Sequence, residues 1–333
     1  MNIKIQNNEC WWGIATTIGI DVPLTKENEG FSRDLNVENY SNQAAPLLVS
    51  NQGRYIWCDK AFVCTIKEGE LIIEAQAPID VVQAGSTLRE AFLAASKKYF
   101  PPSGKTPDLS LIAKPQWNTW IELTYNQNQN DILAYAKAIK QNGFPTGGVI
   151  MIDDTWQYGY GVWEFDPRKF SNPKQLCDEL HSMGFKIMLW VCPFVSMDSP
   201  GYRELAFGIM DSGVECEKGG LIYDTDGEPV AAKWWNGKSA SIDFSSKLGA
   251  GWFMRQLSNL SEKYGVDGWK FDAGDTESYK SDWITEGNCT PSEMCEAYGK
   301  LGLEFPLNEY RACFKMGGQP LVQRLCDKGH SWQ

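Results

Sequence analysis

The sequence predicts an α/β protein, a (β/α)8 TIM barrel preceded by a small N-terminal β-sandwich. Two observations carry that prediction. Before about residue 105 the apolar residues fall into short pieces, several of them alternating with polar residues as half-buried antiparallel strands do. From Trp117 onward, short apolar runs alternate with amphipathic helical stretches, which calls for a parallel sheet. Polar residues recur at the ends of those runs, and this favours a barrel, which gathers its strand ends at one mouth. The expected domains are residues 1–105 and 106–333.

The N-terminal strands are read at Lys4–Gln6, Ala45–Ser50, Gly53–Cys58, Ala61–Ile66 and Leu71–Ala75, separated by turn-rich linkers. Thr87–Tyr99 has helical periodicity, and the Pro- and Gly-rich stretch from Phe100 to Pro107 is a linker. The barrel strands are expected at Asn118–Leu123, Gly148–Ile152, Lys186–Val191, Val266–Phe271, Leu307–Cys313 and Leu321–Cys326. Helices are expected at Asn130–Asn142, Pro173–Met183, Leu248–Tyr264 and Pro291–Leu301, with a long excursion over 195–240. Six strands do not close an eight-stranded barrel, and open edges are a liability in a soluble protein. The expectation is therefore a C-terminally incomplete barrel, the N-terminal part of a longer protein.

Forty-two acidic against 31 basic side chains give a net charge of −11, which argues against a nucleic-acid or anionic-membrane partner. The N-terminus lacks an apolar signal-peptide core and no run approaches the roughly 18 apolar residues of a membrane span. A cytoplasmic protein is expected. The ten cysteines form no CxxC pair and no ligand spacing with His, so free buried thiols fit best. His181 and His330 are the only histidines, leaving little for a His-based triad or a zinc site, and His181 is read as structural. No GxGxxG or Walker loop marks a nucleotide site. Neither metal nor cofactor is expected.

Residues 269–275 read Trp269-Lys270-Phe271-Asp272-Ala273-Gly274-Asp275, directly after a helical stretch. This puts Asp272 at the carboxyl end of a parallel strand, where barrels hold their chemistry, and makes it the first candidate nucleophile. A helix N-cap is the bland alternative for such an Asp. The other strand ends carry Asp153, Asp154, Trp190, Lys270, Arg311 and Asp327. Converging carboxylates, one Lys, one Arg and aromatics suit glycoside hydrolysis, in which one carboxylate attacks the anomeric carbon and another donates a proton to the leaving oxygen. A buried ion-pair network capping the barrel is the competing reading.

Several motifs make the chain resemble glycoside hydrolase family 31, in its α-galactosidase-like branch with the nucleophile motif Lys-Phe-Asp-x-Gly-acid. They are Gly30-Phe31-Ser32-Arg33-Asp34, Asn42-Gln43-Ala44-Ala45-Pro46, Gly53-Arg54-Tyr55-Ile56-Trp57, the stretch from Ile152 to Gly161, Phe165-Asp166-Pro167-Arg168-Lys169-Phe170 and Trp234-Trp235-Asn236-Gly237-Lys238. The resemblance implies that Asp272 is the nucleophile and Asp275 a companion acid. It implies that Asp327, five residues before Trp332, is the acid/base, and that Arg311 binds the sugar beside it. Trp190 and Trp235 are implied subsite walls, and Asp153 or Asp154 grips sugar hydroxyls, an insertion leaving either in register. Lys270 stands where family α-glucosidases carry Trp, and its ammonium suits an axial O4 or, alternatively, only holds Asp272 ionised. The implied activity is a retaining α-galactosidase acting on a glycoside or oligosaccharide. The alternatives are the α-glucoside, α-xyloside, α-N-acetylgalactosaminide or sulfoquinovoside, or an inactive carbohydrate-binding protein.

Overall fold

The computed structural model describes residues 1–37, 42–208 and 219–324. Its N-terminal part holds two antiparallel sheets. In one, Asn2–Lys4, Glu70–Ala75, Phe62–Lys67 and Ser32–Asp34 pair in that order. In the other, Gln43–Ser50 lies between Trp11–Ala15 and Arg54–Cys58, and Ile79–Gln83 extends the sheet beyond Arg54–Cys58. Alternation along these strands turns Ile3, Phe62, Ile66, Leu71 and Ile73 of the first sheet toward Trp11, Leu48 and Ile56 of the second, all buried in one core. The helix Leu88–Tyr99 starts at a capping box, Thr87 with Glu90, and lays Ala91 and Ala95 against Tyr55 and Trp57.

Six parallel strands follow, pairing in chain order: Gln116–Asn118, Val149–Ile152, Lys186–Val191, Gly268–Phe271, Leu307–Tyr310 and Val322–Gln323. They form the curled parallel sheet of a partial barrel. The runs VIMI and KIMLWV are apolar almost throughout because the barrel interior takes one face and the helices Gln129–Gln141, Pro173–Ser182 and Lys247–Tyr264 take the other. Gly265, at φ +83°, ends the last of these helices in the left-handed conformation, where a side chain is strained. The next strand begins three residues later.

Two expected elements are corrected. The first barrel strand is Gln116–Asn118, and Trp120–Leu123 is a short helix instead of the strand's continuation. The Asn118 carboxamide oxygen accepts the Trp120 N–H at 2.7 Å, an Asx turn that overrides the strand-like composition of the following residues. The fifth strand stops at Tyr310, short of the expected Cys313. Cys313–Phe314 leaves the barrel and pairs in parallel with Gln43–Ala44 of the N-terminal sheet, placing Ala312 and Phe314 in that sheet's core.

Candidate active site

Register brings the strand-end residues together. Trp190, Lys270 and Glu309 are successive cross-strand partners on the third, fourth and fifth strands and form one inward-facing layer. Asp272 is two residues beyond Lys270 and shares its face. Sharp turns follow the acidic residues: Thr155 after Asp154 has φ +71°, and after Asp272 come Ala273 at φ +55° and Gly274 at φ +73°. A β-branched Thr at positive φ is a backbone outlier of the kind that clusters at functional sites. A Cβ on Gly274 would lie 2.5 Å from the Tyr298 ring.

Trp190 and Lys270 of this layer line a cavity of about 400 Å³. Asp153, Asp154, Lys270, Asp272, Arg311 and Arg324 supply its charge, Trp120, Tyr125, Trp190 and Trp235 its aromatic surface. Asp272 is buried, and its Oδ2 accepts the Trp190 indole N–H at 2.6 Å. Three cations surround it: Lys270 Nζ at 3.9 Å, Arg324 at 3.2 Å and Arg311 at 3.7 Å. Burial alone would raise its pKa, but Lys270 and the two guanidinium groups, with the indole hydrogen bond, outweigh it and hold the carboxyl down at about 2. Asp272 is therefore ionised at neutral pH.

The other two candidate carboxylates differ. Asp153 accepts a 2.7 Å hydrogen bond from Lys270 Nζ. Among the described residues no cation pairs with Asp154; it accepts from the Tyr160 hydroxyl at 3.0 Å, the Asn236 carboxamide at 2.9 Å and the Gln157 carboxamide at 3.3 Å. Burial dominates these hydrogen bonds and lifts its pKa to about 6. Asp275 is buried and pairs with Arg311 Nε at 3.1 Å, so it fixes the guanidinium from behind. Arg311 lies 5.1 Å from the Trp235 ring centroid, a cation–π contact across the cavity mouth. Asp327 lies outside the described residues.

One site residue takes a different place from that expected. Trp190 lines the cavity but is only 1% exposed, and its indole N–H is spent on Asp272, so it orients that carboxylate. Four further residues come from positions where no strand-end rule pointed: Arg324, Tyr160, Asn236 and Glu309. Glu309 is buried next to Lys270 and Arg324, and burial pushes its pKa up. A polar residue at an inward strand position was its one available signal. His181 bonds Asp267 at 2.7 Å on the outer surface, a structural contact.

Residues 113–306 match the glycosyl hydrolases family 31 TIM-barrel domain. The chain is 30% identical over 254 residues to the myogenesis-regulating glycosidase of Mus musculus, covering 75% of this chain and 34% of that protein. It is 24% identical over 168 residues to alpha-xylosidase XylQ of Lactiplantibacillus pentosus, covering 48% of this chain and 20% of that protein. The chain thus spans about a third or less of the length of these relatives. Among solved structures, a Flavobacterium johnsoniae family 31 dextranase complexed with glucose superposes with a TM-score of 0.76 at 16% identity, over 97% of this chain and 41% of that one. That likeness is one of fold. The family match spans more than half of the sequence, and the chain belongs to glycosyl hydrolase family 31.

Proposed function

We propose that this chain carries the site of a retaining α-glycoside hydrolase whose preferred substrate is an α-galactoside. The observation that carries the proposal is the state of Asp272: a buried carboxylate at a barrel mouth, kept ionised by three cations and aimed by the Trp190 indole. Such a group can attack an anomeric carbon to give a covalent glycosyl-enzyme, which water then hydrolyses. Asp327 is assigned the acid/base on the strength of the family resemblance, and in a retaining enzyme its carboxyl group stands about 5–5.5 Å from the nucleophile. Asp154, Arg311 and Trp235 line the cavity and are assigned to the sugar; Asp153 is assigned to holding Lys270.

The galactoside preference rests on Lys270, whose ammonium lines the cavity and can donate to an axial O4 where an indole ring would only pack. An α-xyloside is the second reading, favoured by the name of the relative XylQ. The test has two arms. A panel of nitrophenyl α-glycosides should give the highest kcat/KM with the galactoside, and a higher value for the xyloside would decide for the second reading. Peptide mapping after inactivation by an activated fluorosugar should find the label on Asp272. Label on any other residue sinks the nucleophile assignment.

A further inference from the structure

The excursion after the third barrel strand ends in a hairpin whose arms, Ala232–Trp234 and Gly237–Ser241, pair Trp234 with Gly237 and leave Trp235 and Asn236 at the tip. Gly237 has φ +103°, which a side chain would resist, so the sequence Trp-Asn-Gly closes this turn tightly. Trp234 seats the hairpin, its ring 4.8 Å from both Tyr160 and Phe194. The two tip residues have separate contacts. Trp235 meets Arg311, whereas Asn236 donates to Asp154 at 2.9 Å and to the Tyr160 hydroxyl at 2.7 Å, and accepts from the Tyr125 hydroxyl at 3.0 Å. Tyr125 is tied down in turn, because its carbonyl accepts from Thr155, the residue after Asp154, at 2.6 Å.

We infer that Asn236 is a positioning residue that couples the sugar-gripping Asp154 to the aromatic wall Trp235, so that the two sides of the subsite assemble as one unit. A single carboxamide spends a donor on the second-strand carboxylate and its acceptor on the first-strand loop. Neither contact is available to an aliphatic side chain at the tip. Losing it leaves Asp154 with Tyr160 and Gln157 as side-chain donors and frees the hairpin tip to move relative to Arg311. The inference deepens the function proposed above and rests on that cavity holding a sugar.

Two measurements test it, one of them independent of turnover. In the full chain labelled with 5-fluorotryptophan, the Trp235 resonance is assigned by Trp235→Phe. Asn236→Ala and Asp154→Ala should each shift or broaden it, while Tyr125→Phe should do so to a smaller degree. In kinetics with the nitrophenyl α-galactoside, Asn236→Ala should raise KM about tenfold with kcat within about twofold, and combining it with Trp235→Ala should add little to the worse single variant, since both report one unit. A Trp235 line indifferent to Asp154→Ala, or multiplicative effects on KM, overturns the coupling. If the wild-type chain turns over no α-glycoside, the proposed function fails while the fluorine spectra still decide the coupling.

Discussion

The Lys270 ammonium has three N–H bonds, and among the described residues it makes one directed hydrogen bond, to Asp153, with a looser contact to Asp272 at 3.9 Å. Lys270 can therefore stabilise Asp272, the proposed nucleophile, and still meet a hydroxyl of the proposed substrate. If the hydroxyl contact is the larger effect, Lys270→Ala should lower kcat/KM for the α-galactoside by ~1.5–3 kcal/mol, the usual worth of a charged hydrogen bond, and reduce selectivity over the glucoside. If pairing with Asp272 is the larger, the acidic limb of the pH–rate profile should move upward with selectivity unchanged. Asp154 makes the second prediction. Its folded pKa, about 6, lies above the unfolded value near 3.9, so the folded state binds the proton more tightly. The associated stability is full below about pH 4 and is lost as pH rises through 6. Relative to wild type, Asp154→Asn should thus gain about 2 kcal/mol between pH 4 and 7, measured by urea unfolding at both. Equal stability differences at the two pH values would refute the raised pKa. Asp272, Lys270 and the Asp153-Asp154 pair were legible in the sequence because strand-end spacing fixes their face. Asn236 and Arg324 were not, because Asn236 reaches Asp154 from a hairpin tip, where periodicity carries no information, and Arg324 falls in the interior of the expected sixth strand, Leu321–Cys326, and not at its end.

Helices proved more legible than strands at the level of the element, and the reason is capping. The spans of the third barrel strand, Lys186–Val191, and of the helix Pro291–Leu301 agree with expectation residue for residue. That helix announces itself through Thr290 as N-cap, Pro291 at the first turn and Glu293 closing a capping box. It also delivers Tyr298, whose hydroxyl reaches the carbonyls of Val191 and Asp272 at 3.2 and 3.3 Å, behind the strand ends that line the cavity. Thr290→Ala should cost about 1 kcal/mol of stability by removing the cap, seen as a lower urea midpoint at unchanged m-value. An unchanged midpoint would mean the cap is not limiting. The first strand was misread because Trp-Ile-Glu-Leu-Thr-Tyr has the composition of a strand, and only the Asx turn at Asn118 decides against it.

Across the whole molecule, the sandwich and the barrel share residues. Phe314 is fully buried in the N-terminal core although it lies in the connection between the fifth and sixth barrel strands, and Cys295 of the helix Pro291–Leu301 joins it there. Phe314→Ala should therefore cost about 3–5 kcal/mol, and calorimetry of the wild type should show one cooperative transition for both parts. Two separate transitions would show that the shared strand does not couple them. Composition and alternation revealed both layers of the fold, but nothing local marked Cys313–Phe314 as belonging to the N-terminal sheet, since its partner, Gln43–Ala44, is remote in sequence.

That remote pairing bears on how the chain is made. Translation proceeds at about 5–20 residues per second, so the place beside Gln43–Ala44 stays empty for tens of seconds until the residues that fill it, about 270 positions later, leave the ribosome. The N-terminal sheet must wait with part of an edge unpaired, and unpaired edges recruit strands from other chains. Completion of the sandwich therefore depends on the barrel being synthesised as far as Phe314.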